Sequence, residues 1–149
     1  MKERTCTFSN CGSIPQRKIE KVVKKISSEI DQLIEKGVTE FMSSGEIGIN
    51  QIAATYVIAK KQLGADIRLK LVLPYRSCDE KLEEKQKRQY DFLISEADEV
   101  MYLSDKYTPD CIRENSNYMV DNSAYLLCAS SYESLRYALR DGLSVIKVA

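Results

Sequence analysis

At 149 residues the chain is long enough for one domain with a real core, because roughly 70% of the unfolded surface can be buried at that size. With 44% hydrophobic and 30% charged residues it has an ordinary globular composition, so a disordered or fibrous class is excluded. Lys+Arg and Asp+Glu are equal at 22 each, so no net charge draws the chain toward nucleic acid or an anionic membrane, and neither is expected as a partner.

The apolar runs are far shorter than the roughly 20 residues that span a bilayer. Met1-Lys2-Glu3-Arg4 carries no signal-peptide pattern, and a cytoplasmic location is expected. The five cysteines are odd in number, widely spaced and free of Cys-x-x-Cys, which reads as reduced thiols. Histidine is absent. That excludes His-based triads and the commonest general base, so any catalysis must use carboxylates, Tyr, Lys, Cys or bound water. Nothing in the sequence implies a cofactor.

Thr5–Ser9 has strand composition and is broken by Gly12 and Pro15. From Arg17 to Lys36, Ile19, Val22, Val23, Ile26, Ile30, Leu33 and Ile34 recur at helical spacing, with Gly37 at the C-terminal stop. Phe41-Met42-Ser43 is a short strand that turns at Ser44-Gly45. A second helix carries Ile49, Ile52, Ala53, Tyr56, Val57 and Leu63 on one side and closes at Gly64. Ile67–Leu73 is a third strand, stopped by Pro74. Glu80–Ala97 is a charged helix with Leu82, Tyr90, Leu93, Ile94 and Ala97 inward. Val100–Leu103 is strand four. Thr108-Pro109-Asp110 predicts a helix start running to about Asn122. Tyr125–Cys128 is strand five, Ser130-Ser131-Tyr132-Glu133 opens a helix ending near Gly142, and Ser144–Val148 is the last strand. Alternation of this kind predicts an α/β, Rossmann-like three-layer sandwich: a mostly parallel sheet of about six strands between helices, as one domain over residues 1–149.

The segment Phe41-Met42-Ser43-Ser44-Gly45-Glu46-Ile47-Gly48-Ile49-Asn50 resembles the strand-Ser-Gly-x-x-x-Gly pattern of the SLOG superfamily in its YpsA-like branch. Ala97-Asp98-Glu99-Val100, Tyr107-Thr108-Pro109 with Cys111, Asn117–Asp121 and Arg136-Tyr137-Ala138 resemble further segments of that branch, in the same order. The resemblance covers nearly the whole chain. It implies a Rossmann-like fold that binds nucleotides or nucleotide-derived ligands, and a strand order of three, two, one, four, five, with the last strand outermost. Related LOG-type enzymes cleave the N-glycosidic bond of nucleoside monophosphates.

The chain departs from that pattern at several points. Phe8-Ser9-Asn10-Cys11-Gly12 lacks the His and Arg of the usual opening. Asn50 stands where the family has Asp, and Asn115, Asn117 and Asn122 stand where basic residues are expected. The Gly-rich loop after strand five is reduced to Ala129–Glu133. A shallow crevice, less positive than a working phosphate site, is therefore expected.

The candidate ligand-binding residues are Ser44, Gly45, Gly48 and Asn50 at the second helix, Tyr75 and Arg76 after strand three, and Ser130 and Ser131 after strand five. Glycines admit a ligand to the backbone, and a helix N-terminus presents N–H groups to an anion. Asn50 with Gln51 could bond a ribose or a base edge, and Tyr75 with Arg76 could stack on a base and pair with a phosphate. The alternative for each is an ordinary turn, cap or exposed loop. Cys11, Cys78 and Cys111 fall just past strand ends, yet nothing places their sulfurs within bonding distance, so no metal site is assigned.

The favoured reading is a non-catalytic module for a nucleotide-derived small molecule. One alternative is a nucleoside-monophosphate N-glycosidase with Glu133 as its carboxylate. Another is a protein-interaction module, given nine tyrosines, for which a homo-oligomer stays open.

Overall fold

The computed structural model describes residues 2–9, 14–129 and 137–148. Six strands form one parallel sheet: β1 (Thr5–Ser9), β2 (Glu40–Ser43), β3 (Arg68–Leu73), β4 (Glu99–Tyr102), β5 (Tyr125–Cys128) and β6 (Ser144–Lys147). The helices are α1 (Ile19–Glu35), α2 (Ile49–Gln62), α3 (Glu84–Glu96) and α4 (Cys111–Asp121), and residues 137–140 are also helical. This is the α/β, Rossmann-like arrangement that the alternating pattern predicts.

The strand order is β4-β3-β2-β1-β5-β6. The expected order placed strand four between one and five, and that is corrected here: β4 lies at the outer edge, paired with β3. The physical reason is local to β3 and β4. Asp98 Oδ2 accepts the Leu69 N–H at 2.8 Å and the Lys61 ammonium at 2.6 Å, which fixes the start of β4 beside β3. Lys70 then faces Glu99 across the ladder, with 3.3 Å between Nζ and Oε2. The chain therefore steps outward from β1 to β4 and returns once, through α4, to the other side of β1. The strand order reverses between β1 and β5, the position where ligands bind in such sheets.

Each face has its own core. On one, α1, α2 and α3 cover Cys6, Phe8, Phe41, Leu69, Leu71, Leu73 and Leu127. On the other, Met119 of α4 packs on Met42 and Val72, and Val120 packs with Leu126 and Cys128. α1 buries Val22, Ile26, Ile30 and Leu33 but leaves Ile19 and Val23 partly exposed, because its apolar arc is wider than the surface it covers. α2 lies between α1 and α3 above the sheet and buries three sides, Asn50, Ala54 and Ile58 included. Leu63, predicted inward, falls just past its end and is exposed.

Two helices start later than predicted. α3 begins at Glu84, because Glu83 is extended and forms a capping box with Gln86. α4 begins at Cys111, since Thr108 accepts the Cys111 N–H in a turn that precedes the helix. Among the described residues no helix is long and apolar enough to cross a membrane.

Candidate functional site

All strands run the same way, so the loops that follow them gather at one edge of the sheet. Gly45, Tyr75 and Ser104, which follow β2, β3 and β4, lie on that edge as predicted. Asn10, Ser130, Ser131 and Glu133 fall outside the described residues.

Residues 44–48 link β2 to α2. Two glycines make this link, and both need conformations that L-residues avoid: Gly45 has φ +73° and Gly48, the residue before α2, has φ 114° with ψ −140°. A side chain at Gly45 would meet Leu73 Cδ2 at 3.5 Å, an ordinary contact, so backbone conformation rather than space demands glycine there.

The loop is bonded to itself. Asn50 Oδ1 accepts the Ser44 N–H at 2.9 Å. Ser43 Oγ lies 3.0 Å from the Asn50 carbonyl oxygen and 3.1 Å from Asn50 Oδ1, and it accepts the Gly45 N–H at 3.1 Å. Gln51 Nε2 donates to the Gly45 carbonyl at 3.2 Å. Asn50 is only 2% exposed, and Ser44 and Gly45 are buried with it. Its carbonyl-type oxygen thus serves the loop, while the surface of the link is made by Glu46, Ile47 and half-buried Gly48. The Glu46 carboxylate stands just before the helix, where the dipole favours negative charge.

The loops after β3 and β4 meet each other. The Tyr75 and Tyr107 rings pack edge to face with centroids 5.5 Å apart. The Arg76 guanidinium carbon lies 4.9 Å from the centre of the Tyr102 ring, and its Nε donates to Asp105 Oδ1 at 3.0 Å. Two backbone bonds and one from a side chain hold this rim: Leu103 N–H to the Leu73 carbonyl, Cys78 N–H to the Tyr75 carbonyl, and Ser104 Oγ to the Lys106 carbonyl at 2.7 Å. Behind it, Cys78 Sγ is 3.5 Å from the Tyr90 hydroxyl, and Lys87 bridges Asp79 and Asp91. Burial, reinforced by Cys78, pushes the Tyr90 phenol well up, so it stays protonated. Burial also raises Tyr75, with Cys78, Cys111 and Tyr107 as neighbours. Neither phenol serves as a base near neutral pH.

Sequence reasoning places Tyr75 and Arg76 on this edge but misses Tyr102, Asp105 and Tyr107. The wrong strand order separated β3 from β4 and hid the pairing of their loops. Cys78 and Cys111, both past strand ends as predicted, are half-buried and buried, and with Cys6 and Cys128 they are free thiols. Burial pushes the Cys6 thiol far up, consistent with a small apolar group in a strand.

On the α4 face, Asn115 Nδ2 donates to the Val72 carbonyl at 2.9 Å. Asn115 Oδ1 and Thr7 Oγ1 are buried there without a hydrogen-bond partner among the described residues.

The sequence model of one family, YpsA, described as the YspA SLOG family, matches residues 13–139. A UPF0398 protein of Halalkalibacterium halodurans is 30% identical over 113 residues, covering 74% of this chain and 60% of that protein. A UPF0398 protein of Bacillus cereus is 24% identical over 117 residues, covering 77% and 64%. The chain thus spans less than two thirds of the length of these relatives. A solved structure of DNA processing protein A from Helicobacter pylori, described for its single-stranded DNA binding mode, superposes with a TM-score of 0.63 at 11% identity. It covers 97% of this chain and 64% of that one. This likeness is one of fold. It also corrects the expectation that excluded nucleic acid as a partner. A protein of this architecture is described as binding single-stranded DNA, and an overall charge of zero does not set the character of a local surface.

Proposed function

This chain belongs to the YspA SLOG family, and from that premise we propose that it binds a nucleotide or nucleotide-derived ligand, without turning it over, at the C-terminal edge of its sheet. The observation that carries the reading is the glycine-dependent entry to α2. Gly45 and Gly48 let the chain turn from β2 into α2 at that edge, one strand from the order reversal, with Gly48 at the surface beside the positive end of the helix dipole. Ser44 and Asn50 shape that loop from inside, Gly48 faces the ligand, and Tyr75 and Arg76 supply an aromatic and a cationic surface in the neighbouring loop, after β3. Ser130 and Ser131, outside the described residues, are proposed to offer hydroxyls to the same ligand.

Thermal shift and calorimetry with AMP, ADP-ribose, NAD and cyclic nucleotides test this. A rise in melting temperature that grows with ligand concentration is expected, together with no release of free base from AMP. The absence of any shift at millimolar ligand overturns the proposal, and release of base moves the chain to the glycosidase class.

A further inference from the structure

We infer that the rim formed by Tyr75, Arg76, Tyr102 and Tyr107 is a base-stacking subsite, and that the ligand it takes is a short stretch of single-stranded nucleic acid. The inference rests on the nucleotide reading above and specifies its ligand.

Three observations carry it. First, the rim is open. Tyr107 is 63% exposed and the Arg76 side chain 66%, whereas sites for small molecules are concave and bury most of the ligand. Open aromatic surfaces that accept successive bases are the means by which proteins hold single strands without reading sequence. Second, the rim offers two planar faces rather than one. The guanidinium of Arg76 rests on Tyr102 and is steadied at Nε by Asp105, and the Tyr107 ring is set at 80° to Tyr75. Two such faces suit two bases, more than a mononucleotide has. Third, the start of α2 exposes Glu46 and Ile47 beside Gly48, which suits a singly charged phosphodiester better than a more highly charged phosphate.

The charges around the rim bound its strength. Arg76 pairs with Asp105, and Arg113 lies 3.2 Å from Asp110, so few positive charges are left to neutralise phosphates. Binding by stacking with one or two phosphates neutralised gives a shallow salt dependence, with a slope of about −0.7 to −1.4 in log affinity against log salt.

The test is a titration of the whole chain with unstructured thymidine oligomers of increasing length and with thymidine monophosphate. It is read by quenching of tyrosine fluorescence, which no tryptophan obscures, and by anisotropy of a labelled strand. Oligomers are expected to bind more tightly than the monophosphate, and an abasic oligomer of equal charge to bind no better than it. Tyr107→Ala should weaken the oligomer by about fivefold or more, and Tyr107→Phe should restore it. Equal affinity for monophosphate and oligomer, equal affinity for abasic and ordinary strands, or an unchanged Tyr107→Ala variant overturns the subsite. In the first case the nucleotide reading survives. Loss of monophosphate binding with retained oligomer binding supports the subsite while removing the small-molecule reading.

Discussion

Asn50 acts as a substitute for a backbone group: its Oδ1 accepts the Ser44 N–H at a point where the chain has left β2. Asn50→Ala strands a buried donor, and an equilibrium denaturation experiment should show a loss of about 1–3 kcal/mol. Gly48→Ala should lose a similar amount, about 1–3 kcal/mol, for a different reason, since its φ of 114° is closed to a residue with a Cβ. Thr7 is the converse. Its hydroxyl is buried with nothing to bond among the described residues, and valine has nearly its shape. Thr7→Val is expected to be neutral or stabilising by up to about 1 kcal/mol in the same assay. A marked loss would mean that the hydroxyl has a partner. Residue types explain how much of the loop was legible in sequence. Gly-x-x-Gly ahead of a helical pattern identifies the turn, because few other residues tolerate such angles. That Asn50 points inward was not legible, because a polar side chain at a helix start can equally face solvent.

Elements were legible where periodicity is strong, and their neighbours were not. The β3 and β4 segments were found within a residue or so at each end, yet their pairing depends on Asp98, which looks like an ordinary charged residue before a strand. Burial works against the Asp98 carboxylate, but the bonds from Lys61 and the Leu69 N–H, with Arg68 nearby, outweigh it and hold its pKa below the ordinary 3.8. A group depressed in the folded state contributes stability above its unfolded pKa and loses that contribution as pH falls through the folded value. Asp98→Asn should therefore cost stability at neutral pH, by about 1–2 kcal/mol after allowing for partial exposure of the pair. The difference from the parent should shrink as pH falls below about 4. Denaturation midpoints measured between pH 7 and pH 2.5 check this, and a difference that stays constant with pH would rule out the carboxylate as its source.

At the scale of the molecule the class of fold follows from alternation alone, while the order of strands does not. Right-handed crossovers permit β4 on either side of the sheet, and the choice is made by side-chain pairs across the ladder rather than by the hydrophobic pattern. The rim of aromatic residues became visible only with that choice, since Arg76 and Asp105 are close in space through β3 and β4 alone.

The same strand order has a consequence for biosynthesis. Residues through Tyr102 supply β1 to β4 with α1 to α3, all on one face, so this layer can assemble as the chain leaves the ribosome. Until α4 and β5 follow, β1 has one unpaired edge, and Met42 and Val72 face water. A chain ending at Tyr102 should therefore gain helical circular dichroism yet self-associate in light scattering, and adding residues through Cys128 should reduce that scattering. The central strand is made first and completed late, which makes α4 and β5 the point at which a nascent chain covers its last open strand edge beside β1.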